Sequence, residues 1–333
     1  MSKEVSVVSI SKWFGAVTVL LLVAAIGSYV TARSALEPFD DDARALAPGE
    51  FVQLTDGKVH YAWHPAHGDG AAPQVTVLVH GFSTPSYVWA GLLAPLTEAD
   101  HRVLVYDNFG RGFSDRPHVD NDAKLFDRQL LELLESQNIN EPVNLVGYSM
   151  GGAIATYFTA RHPEKVRRLG LIAPAGFPVN SGAVEPWLSA PILGDWLMAV
   201  LGRGILLEIM STSENQGRAV PDIAKKYEVQ MRFEGYLRSL LSTMRNFPMG
   251  GMEEEYQRVG EANVPVLAIW GDGDAVVPPT NADLIAEVAP QAKFLSIEGG
   301  THAITYSEPE QVSAALVDFF GTPSAHAHSP ASQ

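Results

Sequence analysis

The sequence predicts an α/β fold, a mostly parallel doubly wound sheet with an inserted helical lid, on three observations. First, short apolar runs suited to strands buried on both faces alternate with segments of helical period. The runs are QVTVLVH (74–80), RVLVYD (102–107), PVNLVG (142–147), VRRLGLIA (166–173), VPVLAIWG (264–271) and AKFLSI (292–297). Second, the alternation stops between about Phe177 and Gly260, where helical runs follow one another with no such strand. Third, the stretch Val146-Gly147-Tyr148-Ser149-Met150-Gly151-Gly152 sets a serine at a strand-to-helix corner, the context a G-x-S-x-G motif requires.

Taken in order, residues 13–32 (WFGAVTVLLLVAAIGSYVTA) carry no charge and match the ~20 residues that cross a bilayer as a helix. Residues 1–32 therefore read as a membrane anchor or a signal segment, with Val30-Thr31-Ala32 as a small-residue cleavage site. Lys3 and Lys12 precede the span, and Glu37 and Asp40–Asp42 follow it. This asymmetry points to an inner-membrane anchor with the bulk of the chain outside the cytoplasm, or to secretion if the segment is cleaved. Residues 33–49 read as a linker.

The first part of the core covers 50–176. It opens with two short alternating runs, Glu50–Leu54 and Val59–Trp63, joined by Asp56-Gly57 as a hairpin. Helices are expected at Trp89–Ala99, Lys124–Gln137 and Gly151–Ala160. The lid, 177–260, is expected to hold helices at Trp187–Leu201, Gly204–Met210, Pro221–Arg232 and Gly235–Arg245. Its first run is unusually apolar, which suits packing on the body, a wall for an acyl chain, or a patch on a membrane. Trp187, Trp196 and Leu197 are its candidate substrate-pocket residues. The second part of the core, 261–320, closes with a helix over Glu308–Phe320, and 321–333 reads as a disordered tail.

The formal net charge of −15, with no long acidic block, argues against a nucleic-acid partner, because phosphate binding needs a basic surface. The absence of cysteine removes disulfides and thiolate chemistry. His326 and His328 are spaced like a metal pair but fall in the tail, so no metal or cofactor is expected.

A serine nucleophile needs a base, and the base needs an orienting carboxylate, here in the order acid then histidine at strand ends. His302 follows the strand ending at Ile297 and stands alone between His162 and the tail. After Trp270 the acid is Asp274 or Asp272, of which Asp274 is preferred and Asp272 suits a turn. The backbone N–H groups of Met150 and Phe82 are the candidate oxyanion donors. His80 reads as fixing its loop, and Arg111 and Asp115 as a pair that fixes theirs.

The chain resembles the α/β-hydrolase superfamily, in its lid-bearing branch of lipases and esterases, over about residues 50–320. The motifs that carry this are HGF (80–82), DNFGRGFSDRP (107–117), GYSMGG (147–152), WGDGDAVVP (270–278) and THAITYSEP (301–309). With its anchor, the arrangement is similar to single-helix monoacylglycerol lipases. The resemblance implies Ser149 as nucleophile, Asp274 as acid, His302 as base, and Phe82 with Met150 as oxyanion donors. Thr301 departs from the glycine that many relatives carry before the histidine. The implied activity is ester hydrolysis on a small, lipid-like substrate without a cofactor. Carbon–carbon bond hydrolases and perhydrolases share this residue set and stay open, as does a non-catalytic binding protein on the same fold.

Overall fold

A computed structural model describes residues 4–67, 73–180, 185–212 and 215–321. The tail, with His326 and His328, lies outside the described residues. Eight strands form one sheet: β1 (Glu50–Leu54), β2 (Gly57–His64), β3 (Gln74–Val79), β4 (His101–Tyr106), β5 (Val143–Tyr148), β6 (Val166–Ile172), β7 (Val266–Gly271) and β8 (Lys293–Ile297). Their order is β1-β2-β4-β3-β5-β6-β7-β8. The β1–β2 and β2–β4 pairs are antiparallel and the remainder parallel. This is the expected α/β architecture, with helices on both faces and more helices inserted after β6.

Burial follows position in the sheet. All six residues of the central strand β5 are buried, whereas β8 at the edge exposes all but Ile297. Helix Ala123–Ser136 starts at Asp122, whose carboxylate accepts from the Leu125 N–H at 2.8 Å. Its Leu125, Phe126, Leu130, Leu133 and Leu134 enter the core at helical spacing.

The inserted region differs from the expectation at its start. In place of one run from Trp187 to Leu201 there are two helices, Glu185–Ser189 and Leu193–Val200. Pro191 cannot continue a helix, and Ile192 adopts φ 64°, which turns the chain between them. Helices Gly202–Met210, Ile223–Met231 and Tyr236–Asn246 follow. Glu253–Glu261, just before β7, and Asn281–Val288, between β7 and β8, are helices that the sequence does not predict. The first buries only Tyr256 and Val259, too few apolar positions to show a period.

Residues read as a linker pack against the body. Glu37 exchanges backbone hydrogen bonds with Arg232 and Glu234, both 2.8 Å. Phe39 meets the Phe233 ring edge-on at 5.6 Å, and the Arg116 guanidinium lies 3.5 Å from the Phe39 centroid. Arg44, in the short helix Asp41–Arg44, forms an ion pair with Asp115. The N-terminal helix runs from Glu4 to Ser34, and Lys12–Ser34 is long and apolar enough to cross a membrane.

The corner at Ser149 depends on glycines. A methyl group on Gly147 would lie 2.2 Å from the Gly151 carbonyl oxygen, and one on Gly151 would lie 2.0 Å from that of Val79. Both obstacles are backbone and cannot swing aside. Gly151→Ala is expected to cost at least about 3 kcal/mol of folding stability, since overpacking here has no side chain to absorb it. Urea denaturation of the purified variant checks this.

Candidate active site

Ser149 sits between β5 and the helix Met150–Arg161 with φ 55° and ψ −123°, a strained conformation for a residue with a side chain. Its N–H donates to the Ile172 carbonyl at 2.9 Å, and its own carbonyl accepts from Gly152 at 2.9 Å and Ala175 at 3.0 Å. These bonds hold the corner from both sides. The loop after β3 closes over it, and a methyl group on Gly81 would come within 3.2 Å of Ser149 Cβ.

His302 reaches the serine from the loop after β8, with Nε2 3.0 Å from Ser149 Oγ. Its Nδ1 lies 2.8 Å from Asp274 Oδ2. A carboxylate is an acceptor, so Nδ1 carries the proton and Nε2 presents a lone pair to the hydroxyl. Asp274 comes from the turn after β7 and its side chain is fully buried. Its Oδ1 accepts from the Val276 and Val277 N–H groups, both at 2.9 Å. Those bonds fix the orientation of the carboxylate away from water. Asp272 turns elsewhere and accepts from Gly299 N–H at 2.8 Å, tying the two acid- and base-bearing loops together.

Met150 and Phe82, the expected oxyanion donors, flank Ser149 in the helix after β5 and the loop after β3. Met150 opens its helix, so its N–H has no intrahelical acceptor. The Phe82 carbonyl is taken by Arg111 Nε at 2.7 Å. Arg111 is completely buried and sends Nη1 to the Phe109 carbonyl at 3.1 Å and Nη2 to Thr243 Oγ1 at 2.9 Å. Burial lowers its pKa to about 10. The expected pairing with Asp115 is not formed. Arg111 turns inward to join three segments, and Asp115 faces the β1–β2 hairpin, where its Oδ2 accepts from Lys58 N–H at 2.8 Å.

Two supports gave no sequence signal beyond their position. Tyr148 donates its hydroxyl to the His302 carbonyl at 2.9 Å, bracing the histidine loop from the strand that carries the serine. Asp107 binds His60 Nδ1 at 2.8 Å and the N–H groups of Phe113 and Ser86, both at 2.9 Å. Burial opposes its ionisation, but the His60 hydrogen bond and charge outweigh that and draw its pKa well below the usual carboxylate range.

The suggested pocket residues take other partners. The Trp196 indole N–H, which needs an acceptor when removed from water, donates to the Ala25 carbonyl and Ser28 Oγ of the N-terminal helix, both at 3.0 Å. Trp187 is 60% exposed. Leu197 is half-buried on the Trp196 helix. Trp196 is thus in contact with the N-terminal helix.

A base, an acid and a serine held in a strained corner define a serine-hydrolase type of site on an α/β sheet. A family model for the alpha/beta hydrolase fold matches residues 75–198, and with the architecture it supports membership of the α/β-hydrolase superfamily. Lipase 3 of Moraxella sp. (strain TA144) is 25% identical over 240 residues, 71% of this chain and 74% of the relative. A 2-hydroxy-6-oxononadienedioate/2-hydroxy-6-oxononatrienedioate hydrolase of Cupriavidus pinatubonensis is 27% identical over 289 residues, 81% of this chain and 94% of the relative. The solved enol-lactonase of Burkholderia xenovorans LB400 superposes with a TM-score of 0.68 at 21% identity, over 81% of this chain and 99% of its own.

His80 makes the loop sensitive to acid. Its Nε2 accepts from Asn108 N–H at 2.8 Å and its Nδ1 donates to the Gly81 carbonyl at 2.9 Å, the pattern of a neutral ring. Burial lowers its pKa to about 4 from 6.5. Between those values the unfolded ring binds more protons than the folded one, so this contribution is complete above about pH 6.5 and is lost as pH falls towards 4. Lowering the pH from about 7 to about 5 is expected to remove about 2 kcal/mol through this group. Urea denaturation at the two pH values measures the loss, and His80→Gln should shrink it.

Proposed function

We propose that the chain hydrolyses carboxylic esters of hydrophobic acyl groups, such as monoacylglycerols, through an acyl-enzyme on Ser149. The observation that carries this is the continuous relay from Ser149 Oγ through both ring nitrogens of His302 to Asp274. His302 Nε2 takes the hydroxyl proton as Oγ attacks the ester carbonyl, and the N–H groups of Phe82 and Met150 receive the oxyanion. The tetrahedral intermediate collapses, the C–O bond breaks and His302 protonates the departing alcohol. Water repeats the sequence to release the acid and free the serine. Asp274 stays ionised throughout, holding the tautomer and stabilising the imidazolium.

Three observations favour a neutral, hydrophobic ester. The chain carries a helix suited to a membrane, an apolar run opens its inserted helices, and a named lipase is among its relatives. A dienedioate carries two carboxylates, and Arg111 on the neighbouring loop directs Nε, Nη1 and Nη2 into the protein instead of offering them to such a substrate.

The second reading is carbon–carbon bond hydrolysis next to a ketone, by the same residues. The comparisons lean this way, because the Cupriavidus dienedioate hydrolase is matched over more of both chains than the Moraxella lipase.

We also read Lys12–Ser34 as a retained anchor with the body outside the cytoplasm. The lysine-before, acid-after asymmetry supports that orientation. Cleavage after Ala32 would remove both acceptors of Trp196, which favours retention.

Turnover of a p-nitrophenyl ester series, a monoacylglycerol and a 2-hydroxy-6-oxodienoate separates the two readings. The expected result is ester and monoacylglycerol hydrolysis with little dienoate cleavage, and a loss of about 10⁴-fold or more in kcat for Ser149→Ala. Dienoate cleavage without ester turnover would replace the first reading with the second.

A further inference from the structure

Among its described side chains, from Lys12 onward, the N-terminal helix is covered along one stripe. Ala25, Ser28, Tyr29 and Ala32 are partly covered, at the i, i+3, i+4, i+7 spacing of a single helix face. Residues 13–24 are exposed all round. Those twelve residues rise about 18 Å at about 1.5 Å each, well short of the ~30 Å hydrocarbon core. The free part of the helix therefore cannot cross a bilayer alone, and extending the span backwards would draw Lys12 into the hydrocarbon. The missing ~12 Å is the stretch 25–32, which the inserted helices flank.

The apolar inserted run beside it is suited to lipid, while Glu234 and Arg238 stand at its Tyr29–Ala32 end. From Pro186 to Gly202 the one charged residue is Asp195, and its carboxylate pairs with Arg245 at 3.1 Å. Trp196 is bonded five to eight residues below Arg33, about 8–12 Å along the helix axis. Ile192 is 85% exposed, and Trp187, Leu193, Leu201 and Ile205 are exposed beside it. In water such a surface has no covering. Arg203 and Glu208, exposed on the next helix, mark where polarity returns.

We propose that the helices Glu185–Ser189 and Leu193–Val200 lie immersed in the outer leaflet beside the spanning helix, with Trp196 fixing their depth. The occupant of the apolar face is the acyl region of the bilayer, at the 5–10 Å depth usual for interfacial helices. The site would then draw its substrate sideways from the leaflet. This rests on the anchoring reading, and the test separates the two.

The chain contains no cysteine, so single reporters can be placed without background. Full-length Leu20→Cys, Ile192→Cys, Leu201→Cys and Val119→Cys variants, each carrying a nitrobenzoxadiazole label, are reconstituted into phosphatidylcholine–phosphatidylglycerol vesicles with acyl-chain nitroxide lipid. Quenching at 20, 192 and 201 is expected to exceed that at 119 roughly threefold or more, given immersion beyond the headgroups. Labels at 192 and 201 as accessible to water as 119, beside a protected 20, would overturn the immersion alone. A water-accessible label at 20 would overturn both immersion and anchoring. Ester turnover by the same labelled variants reads the Ser149 assignment separately.

Discussion

Behind Ser149 three stretches of backbone meet at distances that leave no room for a side chain. Gly147 faces Gly151 and Gly152, and Gly151 faces the carbonyls of Val79 and His80. That close approach lets the chain leave β5, hold one residue at φ 55° and enter a helix at once. It also fixes where the loop after β3 must lie, since the loop's carbonyls are what Gly151 touches. The strain, of order 1–3 kcal/mol, is held by backbone hydrogen bonds to Ile172 and Ala175 on the adjacent strand and loop. Remove the glycines and the serine, its helix N-terminus and the facing loop lose their common geometry.

From that corner the remaining constraints spread outward through polar groups buried with partners. Arg111 ties the Phe82 loop to its own loop and to Thr243 in the inserted helices. Asp107 ties β2 to the turn at Ser86, and His80 ties Asn108 to Gly81. Each removes a charge or ring from water, and each side-chain nitrogen or oxygen of Arg111, Asp107 and His80 has at least one hydrogen-bond partner. The position of the catalytic-type loops is thus coupled to the inserted helices, and those helices are coupled through Trp196 to the N-terminal segment.

Much of this was legible in sequence. Strands β3 to β7 announce themselves because burial on both faces makes them continuously apolar, and the Ser, Asp and His fall at strand ends in chain order. The harder parts have physical reasons. Helix Glu253–Glu261 buries two residues and shows no period. The break at Pro191–Ile192 was masked by the apolar residues on either side. Trp196 looked like a pocket residue because an aromatic in an apolar run says nothing about which surface it meets. Arg111 and Asp115 have the spacing of a pair, yet Arg111 bonds the Phe82 loop and Thr243 while Asp115 takes Lys58 and Arg44. The bracing of His302 by Tyr148 joins residues 154 positions apart, beyond any local pattern.

The proposed chemistry requires a serine made reactive by His302 and two backbone donors placed to receive its oxyanion. A crystal structure of the protein after reaction with a fluorophosphonate tests both together. It should show phosphorus bonded to Ser149 Oγ, with one phosphoryl oxygen about 3 Å from the N–H nitrogens of Phe82 and Met150. An unmodified Ser149 after prolonged exposure, or a phosphoryl oxygen directed away from those two groups, would contradict it.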